Sequence, residues 1–314
     1  MMRDGVRRLA SILLFTALAA QLAAGAQDAP EAHYRAFDAK GNAVTLQSII
    51  DSLAGADVLF VGETHDNPVA HLLEAELLRR ADEAYGNTSS KPRAVALSLE
   101  MFERDVQTVL DEYLAGLITE RHFLLSSRPW QNYQTDYRPL VEYAREHHLP
   151  VIAANAPARY VSRVSSQGPD SLRALPQVAV KNWLPPLPFP VASETYAAKF
   201  NNFMGGAAPA AGASAQANPH GGLHLLEAQT LRDASMAYSI SEYLKRGRDP
   251  LVVQVNGTFH SEERMGVPEQ LTHYRKQARA VVLTIVPADT FPNFDPALGR
   301  LGDFVIITDP AAKG

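Results

Sequence analysis

Short apolar runs alternate with longer stretches of helical periodicity along most of the chain. Six runs have the length and the near-continuous apolar character of buried strands: residues 58–61, 93–100, 150–155, 251–256, 280–287 and 303–308. The stretches at residues 68–80, 101–116 and 136–148 instead place apolar side chains at helical spacing. Apolar strands separated by helices are typical of a parallel sheet with both faces covered. The pattern predicts an α/β fold: a three-layer sandwich with a mainly parallel central sheet and helices on both faces.

About residues 166–222 interrupt this alternation. The region holds a proline-rich run at 184–193, a short helical stretch at 193–204, and then a loop rich in Ala, Gly and Pro. A long helix predicted from about residue 223 to 245 closes the region before the strands resume. We interpret it as a helical insertion within one α/β domain that spans residues 27–314.

The first 26 residues have the composition of a signal peptide. Three arginines precede an apolar core, and the Ala-Gly-Ala at residues 24–26 fits a cleavage site. An uncleaved membrane anchor is the alternative, but the apolar run is short for a membrane span and contains Gln21. We therefore expect an exported protein, periplasmic in a bacterium with two membranes.

Charge and cysteine content exclude several classes of function. The net charge is −5 and no basic stretch follows the extreme N-terminus, so nucleic acid is not an expected partner. The chain has no cysteine, which excludes disulfides, thiolate metal sites, a cysteine nucleophile and a lipidated cysteine anchor. The expected form is therefore soluble rather than anchored.

Polar side chains stand where four of the predicted strands end. The set comprises Glu63, His65, Glu100, Asn155 and His260. Both histidines close a Gly-x-x-His turn, at residues 62–65 and 257–260. Because the carboxyl ends of parallel strands meet at one edge of a sheet, these side chains are expected to share a crevice. Each alone is well explained as a cap for the next helix, but the set together favours a functional site.

Two kinds of chemistry suit this set. Two histidines and a carboxylate can bind a divalent metal such as Zn²⁺ or Mn²⁺, with His65, Glu100 and His260 as the ligands. The same residues, together with Glu63, can instead act as acid and base in a hydrolase. The residues leave both alternatives open.

Two arginines and one helical stripe are candidate supports for the crevice. Arg104 lies one helical turn after Glu100, so it is predicted to fix a carboxylate or to face a substrate anion. A surface position in an acidic helix is the alternative. Arg159 lies near a predicted helix start, where an anionic group can be held. Gln229 and Asp233 share a stripe of the long helix, which predicts support for the site or else a solvated face.

The insertion contains side chains suited to a large flat cofactor. The cluster comprises Tyr196, Phe203, Met204, His220 and His224. Such a cofactor requires an apolar wall together with a tyrosine or histidine as axial ligand. Ordinary packing of a lid helix is the alternative, and the residues by themselves favour it.

Several motifs together resemble the ChaN-like haem-binding uptake proteins. They are, in chain order, GETHDNPVAHLLE, SLEMFERDVQTVLDEYLAG, the DYRPLV helix, the NAPAR turn, EAQTLRDASMAYSI and NGTFH…GVPEQL. The resemblance spans about residues 32–308 and places the chain in a superfamily with the Tiki and TraB/PrgY proteins and the erythromycin esterases. It implies the three-layer α/β fold that the strand pattern also predicts.

The resemblance also implies a function. ChaN-like proteins are linked to iron acquisition, which implies haem as the cofactor, a homodimer and an outer-membrane uptake system as partner. Haem is held through a tyrosine, for which Tyr196 is the first choice, followed by Tyr133 and Tyr137. His220, His224, Arg159 and Arg104 are the further candidate contacts. The wider superfamily uses its Gly-x-x-His turns and glutamates for hydrolysis, so a hydrolase using Glu63, His65, Glu100 and His260 is the alternative.

Overall fold

The computed structural model describes residues 31–206, 223–246 and 249–312. The predicted signal peptide and His220 lie outside the described residues. Strands of the described chain form one seven-stranded sheet: β1 (Tyr34–Asp38), β2 (Val58–Glu63), β3 (Val95–Glu103), β4 (Val151–Asn155), β5 (Leu251–Gly257), β6 (Ala280–Pro287) and β7 (Phe304–Thr308). The strand order is β1-β7-β6-β2-β5-β3-β4, and only β1 is antiparallel to its neighbour. The predicted, mainly parallel sheet is confirmed, and β1 is added to it as an antiparallel edge strand.

Helices of the described chain cover both faces of this sheet. They are α1 (Leu46–Asp51), α2 (Pro68–Tyr85), α3 (Gln107–Leu114), α4 (Glu120–Ser127), α5 (Arg138–Glu146), α6 (Ala158–Gln167), α7 (Gln177–Trp183), α8 (Glu194–Gly206), α9 (Leu225–Leu244) and α10 (Val267–Tyr274). Successive side chains of a strand point to opposite faces. Leu59 and Val61 of β2 enter the core shared with α1, α2 and α5. Val58 and Phe60 enter the core shared with α9 and α10, so the three-layer arrangement is confirmed.

β3 continues past Glu100, where the apolar run predicted its end, and stops at Glu103. Its pairing with β5 ends at Leu99, and its pairing with β4 shifts between Leu99 and Glu103. The buried Phe102 keeps this stretch against the core, so the chain stays extended after the ladder with β5 has ended. The carboxylate of Glu100 therefore reaches across the end of β5, where Oε2 accepts the N–H of Gly257 at 2.8 Å.

The region interpreted as an insertion folds in part as helices that pack on α9. Leu172 and Ala179 form a small core with α6 and with Leu231 of α9. The helix α8 brings Tyr196 and Phe200 to the same end of the sheet as the strand termini. Within the described part of the chain, no helix combines the length and the apolar character that crossing a membrane requires.

Candidate functional site

Three neighbouring strands end at one edge of the sheet. β5 lies between β2 and β3, and Glu63 of β2 is level with Gly257 of β5. Asn67 caps α2, because its side-chain oxygen accepts hydrogen bonds from two backbone N–H groups of the first turn. The chain therefore turns into the helix soon after β2. This short turn leaves Glu63 and His65 at the edge.

The first group at this edge is centred on His65. Nδ1 of His65 lies 2.6 Å from Oε1 of Glu63, and the hydroxyl of Tyr137 donates to the same oxygen at 3.1 Å. The indole of Trp130 packs edge-on against the imidazole, with ring centroids 4.5 Å apart. Glu63 and Tyr137 are buried, whereas 49% of the His65 side chain is exposed. Nε2 of His65 has no hydrogen-bond partner among the described residues, so it is available to a ligand.

The second group is a buried chain of hydrogen bonds through His260. Nδ1 of His260 lies 2.5 Å from Oδ1 of Asp233, and Nε2 lies 3.2 Å from Oε1 of Glu100. The other oxygen of Asp233 accepts the hydroxyl of Tyr196 at 2.5 Å. The amide nitrogen of Gln229 lies 3.3 Å from the His260 ring. The helical stripe that singled out Gln229 and Asp233 thus faces His260.

Electrostatics favour a charged imidazole in this second group. Burial opposes the charged form of His260, but Glu100 and Asp233 outweigh it and raise the pKa of His260 to about 10. Burial alone would raise the pKa of Glu100, yet His260 outweighs it and lowers that pKa to about 2. Burial raises the pKa of Asp233 against the pull of His260, and burial with Asp233 raises the pKa of Tyr196. Burial likewise opposes charge on His65, but Glu63 outweighs it and raises the pKa of His65.

The two groups meet over Gly257. A Cβ atom at this position would lie 3.0 Å from Cε1 of His65 and 3.7 Å from Oε2 of Glu100. Its φ of −57° is open to any residue, so close approach rather than backbone conformation requires the glycine. The structure thus brings together four of the five residues predicted from the strand ends, Glu63, His65, Glu100 and His260, whereas Asn155 is not part of the cavity lining.

A cavity of about 550 Å³ opens above this edge. One wall is apolar, formed by Phe200, Phe203 and Met204 of α8 and by Phe259. The rest of the lining includes the polar side chains Glu63, His65, Gln229, Arg232 and His260, with smaller apolar residues among them. Its volume lies in the range of pockets that hold drug-sized ligands and cofactors. An aromatic surface together with a few polar groups suits a large ligand that has one reactive centre.

The sequence did not single out several residues of this site, including Phe200, Phe259, Arg232 and Trp130. Arg232 lines the cavity and has no carboxylate partner among the described residues. It lies three positions after Gln229, so the same helical periodicity would have found it. Trp130 precedes the irregular turn before α5, and no sequence pattern indicates that its ring reaches His65.

The remaining predicted contacts lie away from the cavity lining. Arg104 donates hydrogen bonds to the hydroxyl of Ser239 and, at 3.3 Å, to the carbonyl of Asn182. Arg159 pairs with Asp105 at 2.6 Å. His224 lies 3.2 Å from Glu227, at the start of α9. That Arg104, Arg159 and His224 contact a ligand therefore stays a prediction.

The predicted metal ligands are engaged in other contacts. Both ring nitrogens of His260 face carboxylates, so neither offers a free lone pair while the imidazole is protonated. Within the described residues, the group of three whose ligand atoms come within 4.8 Å of one another is Glu63, His71 and Glu74. Metal binding by His65, Glu100 and His260 stays a prediction that requires the contacts of His260 to open.

Comparisons with known proteins agree with this fold. Residues 49–271 match the family described as haem-binding uptake, Tiki superfamily, ChaN. RETICULATA-RELATED 5, a chloroplastic protein of Arabidopsis thaliana, is 24% identical over 253 residues, which is 77% of this chain. That match covers 32% of the Arabidopsis protein, so the chain spans about a third of its relative's length.

A solved structure shows the same fold. It is described as cofacial haem binding to ChaN of Campylobacter jejuni, and it superposes with a TM-score of 0.63 at 17% sequence identity. The superposition covers 90% of this chain and 98% of the other. Because the family match extends over most of the α/β domain, this chain belongs to the ChaN family of haem-binding uptake proteins in the Tiki superfamily.

Proposed function

We propose that this protein binds haem in the cavity between α8 and the strand ends, as an exported protein of haem or iron uptake. The observation that carries the proposal is a cavity lined both by aromatic side chains and by an imidazole nitrogen, Nε2 of His65, that has no hydrogen-bond partner among the described residues. Haem has an apolar macrocycle, an iron that takes a nitrogen or oxygen ligand, and anionic propionates. Membership of the ChaN family supports the same ligand.

His65 is the iron ligand that this geometry favours. Its Nδ1 is held by Glu63 at 2.6 Å, which fixes the tautomer and directs the Nε2 lone pair away from the carboxylate. Metal-binding histidines commonly have such a partner on the second nitrogen. Gly257 supports this assignment, because a Cβ there would lie 3.1 Å from Nε2 and crowd the approach.

Tyr196 is the alternative ligand. Its hydroxyl is buried and donates to Asp233 at 2.5 Å, and burial together with Asp233 raises its pKa. Iron binding through a phenolate therefore requires that Tyr196 leaves Asp233 and loses its proton. Arg232, which has no carboxylate partner among the described residues, is suited to a propionate, because guanidinium groups bind carboxylates strongly.

A homodimer is part of the proposal. Phe203 lies on the apolar wall with 62% of its surface exposed, and the neighbouring Met204 is also exposed. A haem seated on this wall would keep part of its macrocycle at the surface, where a second copy of the chain can cover it. Cofacial haem binding to ChaN of Campylobacter jejuni is consistent with such an arrangement.

A haemin titration tests the proposal. Haem-free wild-type protein should show a saturable Soret shift at one haem per chain. His65→Ala is expected to weaken binding about tenfold or more and to shift the Soret band, because the axial ligand is lost. Tyr196→Phe should bind like wild type, and His122→Ala, which alters an exposed histidine outside the cavity lining, is the control for the loss of a histidine.

The outcomes separate the alternatives. A Tyr196→Phe variant that loses the wild-type spectrum while His65→Ala keeps it would assign the iron to the tyrosine. A wild-type protein without a saturable shift would refute haem binding. Hydrolysis is the second candidate function, since two histidine–carboxylate groups meet over Gly257; ester turnover that disappears in both His65→Ala and His260→Ala would support it.

Export has its own test. The intact mass of protein recovered from the periplasm should correspond to a chain that begins at Gln27, because the Ala-Gly-Ala before it fits signal-peptidase cleavage. Ala24→Asp places a charge in this small-residue motif and should prevent processing. Recovery of the full-length mass in the membrane fraction would instead identify an uncleaved anchor.

A further inference from the structure

A buried cluster of two acids and one histidine lies next to the haem-binding cavity, on the side of α2. It consists of Glu63, His71 and Glu74, whose side chains are 1%, 4% and 0% exposed. One ligand atom from each residue lies within 4.8 Å of the other two. We propose that this cluster, the α2 cluster, binds one divalent cation of the Zn²⁺ or Mn²⁺ class. The proposal does not depend on haem binding.

The local sequence explains why these residues converge. Glu63 ends β2, and the cap at Asn67 starts α2 soon afterwards. His71 and Glu74 are three positions apart on that helix, so they share one face. A carboxylate and a histidine three positions apart on one helix also supply ligands to the di-metal sites of helical bundles. A strand end and a helix face therefore direct three ligand groups to one point.

Each carboxylate has one oxygen without a partner. Oε1 of Glu63 accepts from Tyr137 and faces His65, whereas its buried Oε2 has no hydrogen-bond partner among the described residues. Oε2 of Glu74 lies 3.2 Å from Nδ1 of His71, whereas its buried Oε1 is likewise without a partner there. A buried unsatisfied polar group costs about 1–3 kcal/mol. Two such oxygens in one cluster are accounted for by a bound cation.

The imidazole of His71 has the orientation of a metal ligand. Its Nε2 lies 3.3 Å from the backbone carbonyl of His65, which can accept a hydrogen bond from this nitrogen. Its Nδ1 lies 3.2 Å from Oε2 of Glu74, so a cation bound here would take the place of the proton on this nitrogen. Metal-binding histidines typically give their second N–H to a carbonyl or carboxylate in this way, because the bond fixes the tautomer and the ring. Asn132 donates to the same carbonyl at 3.1 Å and holds it in place.

The charges and donor types select the cation. Glu63, Glu74 and the nearby Asp136 are acids, and Asp136 lies 3.6 Å from Nε2 of His71. Asp136 is also 22% exposed, so it provides the contact between the cluster and solvent. A set of carboxylate oxygens and one imidazole nitrogen suits Zn²⁺ or Mn²⁺. It does not suit Ca²⁺, which prefers oxygen alone, or Cu⁺, which prefers sulfur.

Metal binding is tested on untagged, haem-free, metal-stripped full-length protein. After equilibrium dialysis against Zn²⁺ or Mn²⁺ alone, we expect one bound equivalent by elemental analysis. Glu74→Gln and His71→Gln keep the side-chain volume close to native, and each should weaken binding about 10- to 100-fold. Glu100→Gln is the matched control, since it removes an acid from the neighbouring His260 group and should retain the metal.

Several results of the dialysis experiment would overturn the proposal. One is wild-type protein that binds no equivalent of either metal at micromolar concentrations. Another is a Glu74→Gln variant that binds as wild type, or a Glu100→Gln variant that loses the metal, which would move the site to His65, Glu100 and His260.

A spectroscopic readout on wild-type protein keeps the test independent of variant folding. Mn²⁺ bound at the α2 cluster should show pulsed-EPR coupling to an imidazole nitrogen, and its absence would also overturn the proposal. Haem binding can fail while this metal binds, and the reverse also holds, so the two proposals are tested separately.

Discussion

Replacing Asp233 with alanine is expected to lower the free energy of unfolding by about 3–5 kcal/mol, the usual cost of breaking a buried ion pair. Asp233 is fully buried and lies 2.5 Å from both the Nδ1 of His260 and the hydroxyl of Tyr196. Its removal leaves His260 with Glu100 as its remaining carboxylate and leaves the Tyr196 hydroxyl without its acceptor. Urea denaturation at pH 7, followed by circular dichroism, measures the change.

Two further variants make this measurement decisive. Asp170→Ala removes an acid whose ion pair with Arg173 is exposed, so its effect should stay below about 1 kcal/mol. The double variant Asp233→Ala, His260→Ala should cost less than the sum of the single variants, because the charge left behind by the first change is removed by the second. If the unfolding free energy of Asp233→Ala lay within about 1 kcal/mol of the wild-type value, it would contradict a buried ion pair at this position.

The sequence predicts most of the sheet because its strands are buried on both faces. β2, β5 and β6 consist almost wholly of apolar residues, and such runs are visible without any partner. β1, with the sequence YRAFD, has a mixed pattern because it is an antiparallel edge strand, so periodicity did not reveal it. The length of β3 was missed because its last residues depart from the ladder with β5.

The candidate site was predictable where topology alone determines it. Parallel strands end at one edge, so Glu63, Glu100 and His260 could be expected to meet there. The partners of those residues could not be predicted in the same way. Helical periodicity aligned Asp233 with the site, but only packing of α8 against α9 shows that Asp233 binds the hydroxyl of Tyr196.

Burial distinguishes the two imidazoles that the sequence treated as equivalent. Both His65 and His260 end a Gly-x-x-His turn, and both have a carboxylate on Nδ1. His260 has a second carboxylate on Nε2 and is buried, whereas the other nitrogen of His65 is open to the cavity. The matched turns therefore support different chemistry: His260 holds a proton within the fold, and His65 is placed to meet a ligand.

The proton on His260 leads to a second large effect, a fall in stability as the pH rises. The pKa of His260 is about 10 in the folded protein and 6.5 as its ordinary value, so the folded state keeps a proton that the unfolded state releases. This contribution is complete below pH 6.5 and is lost as the pH approaches about 10. As the pH rises through that window, the unfolding free energy falls by up to about 1.4 kcal/mol per pH unit for each proton that only the folded state retains.

A second histidine contributes in the same direction over part of the window. Burial opposes charge on His71, but Glu74 outweighs it and raises the pKa of His71 to about 9. Wild-type protein should therefore lose stability between pH 6.5 and 9 more steeply than one proton accounts for. Unfolding is followed in urea at several pH values, with a chelator present so that no metal competes for the α2 cluster.

His260→Gln tests the assignment, since glutamine cannot carry the proton. The variant should lose the part of the wild-type slope above pH 7 that His260 supplies, with the remainder attributable to His71 and to His65, whose pKa is also raised. The comparison is made above pH 7 because Glu100 and Asp233, deprived of their imidazolium, take up protons at lower pH. His122→Gln is the control, since it alters an exposed histidine whose side chain contacts Thr119. If the unfolding free energy of His260→Gln fell with pH as steeply as that of wild type, His260 would not be the group that holds the proton.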